Sequence, residues 1–195
     1  NWSYANVVPT EKWRSAMTLP REIKLNKIND RFLIASSPVK ELDNIARPIS
    51  SLRNIDVRKR KINRKTIATP YRINIAADQI KDFSIVFLNE HNEKLIVGYD
   101  KSKNQYYIDR SEAGKSDFKE GFASKAWAPR LSSNPNMDLT IIMDAASIEL
   151  FADDGLTTMT SIFFPKRLLG KVQIQSNEKF IIKSLQVDAL QSIWK

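Results

Sequence analysis

The chain has 195 residues, 42% hydrophobic and 27% charged, enough for one large domain, or one medium domain with part of another, around a real apolar core. Its apolar runs, "TIIM" and "SIFF" among them, are strand-sized and far short of the roughly 20 residues a membrane helix needs, so no membrane span is expected. The absence of cysteine excludes disulfides and thiolate chemistry, and the net charge of +9 is concentrated in one segment rather than spread over a basic domain.

The opening stretch "NWSYANVVPTEKW" has no initiator Met, no charged n-region and no apolar h-region. It does not read as a signal peptide, and the expectation is that the chain begins inside a larger protein. Residues 1 to about 30 are rich in aromatics, carry Pro9 and Pro20, and alternate near "AMTLPREIKL", which predicts short strands and a loop. From "RFLIASSPVKEL" onward, short runs of β-branched and aromatic residues succeed one another between polar turns. They include "YRINIAA", "FSIVFLN", "KLIVGYD", "QYYIDRS", "LTIIMD", "SIELFA", "TSIFFP", "KVQIQS" and "FIIKSLQVDAL". Turn signals at roughly 8 to 12 residue spacing predict an antiparallel sandwich or barrel. The connections "NEHNEK", "DKSKNQ" and "ADDG" have hairpin chemistry. The one helical spacing, Leu42 and Ile45, is broken by Pro48. The basic segment "RNIDVRKRKINRK" holds Arg53, Arg58, Lys59, Arg60, Lys61, Arg64 and Lys65 against Asp56, a net +6. Its alternation fits a strand edge or loop whose cations face water and deter edge pairing. An anionic ligand is the alternative, and no nucleic-acid role is expected.

Most site chemistry is excluded. The single histidine, His91, sits in a polar turn, so neither a Ser-His-Asp triad nor most transition-metal sites can be built around it, and no metal or cofactor is expected. The five glycines are scattered and form no phosphate cradle. The stretch "DAASIELFADDG" places Asp144, Glu149, Asp153 and Asp154 within eleven residues, which raises the question of a carboxylate pair. Alternation, however, sends Ile148 and Leu150 to the core and Glu149 outside, and puts Asp153-Asp154-Gly155 where a hairpin turn needs them.

Two groups of residues carry a family resemblance. The segment Asn1 to Glu22, through Trp2, Tyr4, Ala5, Pro9, Thr10, Trp13, Arg14, Met17, Pro20, Arg21 and Glu22, resembles the last-blade pattern W-x-Y-A, P-T, W-R-x-x-M-x-x-P-R-E of family 32 glycoside hydrolases, the levanase, inulinase and invertase group. "YYIDRSEAG", "DAASIELFADDG" and "SIFFP" resemble the C-terminal β-sandwich of the same family. The resemblance implies an all-β fold: the end of a five-bladed β-propeller at residues 1–30, then a connector and a two-sheet antiparallel sandwich at residues 31–195.

The family's catalytic acids lie in W-M-N-D-P-N-G-like, R-D-P and E-C motifs, and none of these is present. The implied function is therefore an accessory module of a retaining β-fructofuranosidase, without catalytic residues of its own. The implied partners are the propeller of the same parent chain and, through it, a fructan or sucrose. Trp2 is the one candidate for substrate contact, in the intact parent; Trp13 and Trp127 are expected near a module interface or core. The alternative is a carbohydrate-binding module, with Tyr106 or Tyr107, Phe151 and Trp127 as exposed aromatics by alternation. An extracellular, cell-surface or periplasmic location is implied by the resemblance alone.

Overall fold

The computed structural model describes residues 4–28, 30–57 and 67–192. β1 (Arg21–Ile28) and β2 (Arg31–Pro38) pair as a separate two-stranded ribbon, and the single-turn α1 (Leu42–Ile45) leads into β3 (Ala46–Asp56). The remaining strands are β4 (Tyr71–Ala77), β5 (Phe83–Leu88), β6 (Lys94–Asp100), β7 (Gln105–Glu112), β8 (Lys125–Pro129), β9 (Met137–Met143), β10 (Ser147–Ala152), β11 (Thr157–Ile162), β12 (Lys171–Gln175) and β13 (Ile181–Leu190). They form a six-stranded sheet in the order β11-β10-β9-β4-β13-β3 and a five-stranded sheet in the order β12-β5-β6-β7-β8, antiparallel throughout.

Strict alternation builds the space between the sheets. In β4, Tyr71, Ile73, Ile75 and Ala77 point inward and are buried, while Arg72, Asn74 and Ala76 point out. β9 supplies Met137, Leu139, Ile141 and Met143, and β5, β6 and β7 answer from the other sheet with Phe83, Ile85, Phe87, Leu95, Val97, Tyr106 and Ile108. One apolar cluster thus joins both sheets, as a β-sandwich requires. The Tyr71 hydroxyl, buried in it, donates to the Leu169 carbonyl at 3.0 Å, and burial pushes its ionisation well above the usual phenol range.

The expected runs of residues 71 to 112 become strands at the expected places, and the three hairpin connections join β5–β6, β6–β7 and β10–β11. Several expectations need correction. Only one strand, β1, forms within the described part of residues 1–30, and "RFLIASSP" pairs with it rather than joining either sheet. β8 is a strand that the pattern does not predict, and β3 begins at Ala46, ahead of the segment from Arg53 that reads as a strand edge or loop. β3 carries Pro48 because it is an edge strand, and the ladder slips between Val187 and Asp188 where Pro48 stands opposite. Arg53 is exposed on this edge, and Arg58, Lys59, Arg60, Lys61, Arg64 and Lys65 lie outside the described residues.

A buried charged group ties the two sheets at one end. The Arg130 guanidinium, in the β8–β9 crossover, donates in bidentate fashion to Asp153 at 2.8 and 3.0 Å and to the carbonyls of Ser132, Asn134 and Asn136 at 3.1, 2.6 and 2.8 Å. The Tyr106 hydroxyl of β7 donates to Asp153 at 3.0 Å. Desolvation disfavours the charged guanidinium, but its bonds and attraction to Asp153 outweigh this and hold it above its usual pKa. Because both partners are buried, removing one strands the other. Asp153→Ala is expected to lower stability by about 3–5 kcal/mol in urea unfolding, whereas Asp154→Asn, at an exposed turn position with φ of 56° that Asn tolerates, is expected to be near neutral.

Candidate functional site

Three surface regions bear on function. The first is the outer face of the six-stranded sheet, where Leu42, Ile142, Phe151 and Leu190 form a second apolar cluster covered by Leu19, Ile45 and Ala46. The expectation that Glu149 and Phe151 lie on the exterior is therefore corrected. Both point away from the inter-sheet core, as alternation requires, but the N-terminal segment lies over them and leaves them 6% and 4% exposed. Glu149 Oε1 accepts from the Leu19 amide at 2.7 Å, its Oε2 pairs with the Arg21 guanidinium, and Arg21 also donates to Thr160 Oγ1 at 2.9 Å and lies over the Phe151 ring at 5.1 Å. A buried carboxylate thus clasps the chain just before the ribbon. At the turn, the Ser36 amide of β2 donates to the Gly155 carbonyl at 2.9 Å. Earlier in the segment, Tyr4 meets Phe122 edge-on at 5.1 Å, and Trp13, still 41% exposed, faces Phe164 at 6.4 Å.

The second region is one face of the ribbon. Leu25 pairs with Ile34, Ile23 with Ser36 and Lys27 with Phe32, so Ile23, Leu25, Phe32 and Ile34 share a face. All four are at least 60% exposed, and Met17 nearby in the chain is 98% exposed. Alternation at this face would place these residues in a core, yet none of the described residues covers them. The ribbon straddles residue 30.

The third region is a cleft of about 500 Å³ on the outer face of the five-stranded sheet, lined by residues that include Ser84, Tyr107, Trp127, Gln175 and Asn177. Tyr107 and Trp127 are cross-strand partners whose rings lie 5.2 Å apart at 52°. Gly98, opposite Tyr107, lets the phenol lie across it, because a Cβ there would come within 2.4 Å of the ring. Lys103 Nζ sits 3.9 Å over the indole, and Lys125 Nζ lies 4.5 Å over the Tyr107 ring and 3.4 Å from Asp109. Hydrogen bonding from Ser102 lowers the Asp100 pKa. At Asp109, burial acts in the opposite direction but is outweighed by the Ser111 donors and Lys125, so it too lies below the usual range.

The aromatics that alternation offered as exposed candidates separate accordingly: Tyr106 and Phe151 are buried, Tyr107 is half-buried, and Trp127 is exposed. Trp2 lies outside the described residues. His91 is exposed in the β5–β6 turn. The four acids of residues 144–154 are spread over separate tasks: Asp144 accepts from the Ala145 amide at 2.7 Å, Glu149 clasps the N-terminal segment, Asp153 holds Arg130, and Asp154 is in the turn. Among the described residues no group of three His, Cys, Asp or Glu side chains could hold a metal ion. The small and amide residues of the cleft, Ser84, Gln175 and Asn177, carry no local signal in the sequence. Only the strand register brings them beside Tyr107.

The model of the C-terminal domain of family 32 glycosyl hydrolases matches residues 41–189. The chain belongs to glycoside hydrolase family 32. Its relatives in that family include the levanase of Bacillus subtilis (strain 168), 31% identical over 202 residues that cover 100% of this chain and 30% of the levanase. The extracellular exo-inulinase of Aspergillus niger is 31% identical over 173 residues, covering 85% of this chain and 32% of that protein. Among solved structures, exo-inulinase from Aspergillus awamori superposes with a TM-score of 0.88 at 28% identity, over 100% of this chain and 39% of that one. The β-fructofuranosidase of Schwanniomyces occidentalis gives a TM-score of 0.78 at 25% identity, over 98% and 44%. The family 32 chain thus spans about a third of the length of these two sequence relatives.

The Glu149 clasp generates a direct test. Glu149→Gln removes the charge that holds Arg21 while nearly keeping the shape, with an expected cost of about 1–3 kcal/mol. Hydrogen exchange should quicken at the Leu19 amide and leave the β4 and β9 amides unchanged.

Proposed function

We propose that this chain serves as the C-terminal part of a retaining β-fructofuranosidase, in which the sandwich is an accessory module that braces a catalytic β-propeller. In this reading residues 1–30 are the end of the propeller's last blade, and residues 31–195 are the connector and sandwich. The exposed apolar face of the ribbon carries the proposal. Ile23, Leu25, Phe32 and Ile34 have the alternation of a buried strand pair and no cover among the described residues, which suits a ribbon whose other side belongs against the preceding blade. The Glu149–Arg21 and Ser36–Gly155 contacts would then transmit the sandwich's rigidity to that blade.

The chemistry would lie elsewhere in the parent. Retaining hydrolysis needs one carboxylate as nucleophile and a second carboxyl group as acid and then base, about 5–5.5 Å apart. The motifs that hold these acids in the family are absent from this chain, whose own acids in the 144–154 stretch hold structure together. This two-carboxylate chemistry uses no metal or cofactor. Fructans or sucrose are the proposed substrates of the parent, supported by relatives named levanase, exo-inulinase and β-fructofuranosidase. An extracellular setting is supported by relatives named extracellular. Trp2 would approach the bound sugar in the intact parent, its indole face against the ring.

Two measurements check this reading. The 195-residue chain alone should release no fructose from levan, inulin or sucrose; turnover at a rate retained through purification would overturn the assignment of the chemistry to the propeller. In a parent protein that includes the propeller, Leu25→Asp with Ile34→Asp should lower the Tm by about 5 °C or more. The same pair in the 195-residue chain should leave its Tm within about 1 °C, and equal losses in both proteins would contradict docking through this face.

A further inference from the structure

The cleft on the five-stranded sheet has no part in the bracing role and lies on a face that the ribbon does not use. One cross-strand row spans all five strands there: Gln175 opposite Ser84, Ser84 opposite Gly98, Gly98 opposite Tyr107, and Tyr107 opposite Trp127. Ser84 is small, and Gly98 lets the Tyr107 phenol lie across the centre of the row, which makes a trough floored by Ser84 and Tyr107. Trp127 stands at one side and the Gln175-Ser176-Asn177 turn at the other. We propose that this trough binds a neutral oligosaccharide, with Tyr107 and Trp127 as the ledge on which a sugar ring rests and Asp82, Asp100, Gln175 and Asn177 as the rim that hydrogen-bonds its hydroxyls.

Four features favour that class of ligand. The volume, about 500 Å³, is within the range of small-ligand sites. Aromatic faces that are partly exposed match the C–H faces of a sugar ring, and side-chain amides and carboxylates match hydroxyls, which donate and accept at once. Asp82 and Asp100 are also preset as acceptors. The Lys101 amide donates to Asp82 at 2.7 Å, and Ser102 Oγ and the Lys103 amide donate to Asp100 at 2.6 and 3.2 Å. Finally, the two carboxylates are balanced by Lys103 and Lys125, which gives no net field for an anion or a cation. Lys103 lies over the indole and Lys125 over the phenol, but Lys103 is half-exposed in a turn with Asp100 3.5 Å away, and Lys125 keeps Asp109 at 3.4 Å. A sugar ring can therefore displace both without stranding a charge.

The test is an NMR titration of the 195-residue chain with inulin-derived and levan-derived oligosaccharides up to about 10 mM, which saturates a site of millimolar affinity. The expected result is saturable shifts confined to the Trp127 indole N–H and the amides of Lys103, Ser176 and Asn177, with at least one of the two ligands. Trp127→Ala should weaken binding about tenfold or more, equivalent to about 1.4 kcal/mol, and Trp127→Phe, which keeps a ring, should restore most of it. Trp127 is on an edge strand, so the amide spectrum of β4 and β9 serves as the check on folding; should Trp127→Ala unfold, Gln175→Ala with Asn177→Ala, both exposed, replaces it. No saturable shift with either ligand, shifts that map elsewhere, undiminished binding by the folded variants, or binding only of sulfated oligosaccharides would each overturn the proposal. None of these outcomes depends on whether the ribbon docks against a propeller.

Discussion

Three residues, Asp153, Asp154 and Gly155, hold the architecture together, because all three sheets meet at their turn. The Asp153 carboxylate reaches into the sandwich to Arg130 and Tyr106 and so joins the six-stranded sheet to the five-stranded one. On the other side, the Gly155 carbonyl receives the Ser36 amide and joins the six-stranded sheet to the ribbon. Positive φ values of 51°, 56° and 82° make this possible. Gly155 has a second constraint, since a Cβ there would stand 2.3 Å from the Ser36 carbonyl oxygen. A turn that satisfies a buried guanidinium and also admits a strand of another sheet has little freedom to vary.

The two outer faces of the sandwich follow different physical logic. That of the six-stranded sheet is closed where the N-terminal segment crosses it: Leu42, Phe151 and Leu190 sit under Leu19, and the buried Glu149 carboxylate finds donors on the covering segment. That of the five-stranded sheet is open beside Tyr107 and Trp127, and its polarity comes from amides, hydroxyls and paired charges. The closed face holds the N-terminal segment of the same chain, and the open one stays accessible to solvent.

The amino-acid pattern made the fold class legible because the sandwich strands alternate so regularly, "YRINIAA" being the clearest case. It was weakest where an element is polar or interrupted. β3 contains Pro48 and two adjacent serines, Ser50 and Ser51, and β8 is five residues long, so neither has a hydrophobic period to find. Glu149 illustrates a different limit. Alternation correctly turned it away from the inter-sheet core, but burial on the far side depends on Leu19 and Arg21, 130 and 128 residues earlier. The same holds for the cleft, in which Gln175 and Trp127 share a row only through the pairing of three intervening strands. The family resemblance filled part of this gap by naming the sandwich, and residues 41–189 match the family's C-terminal domain.

The clasp between Arg21 and Glu149 also sets an order of events during synthesis. The ribbon leaves the ribosome well over a hundred residues before the carboxylate and the turn that secure it. Until then its seam with the sandwich is unprotected, and contacts of such long sequence separation form late and slowly. Registration of the ribbon on the sandwich is therefore among the last steps of maturation. The sandwich, made after the ribbon, is what secures it.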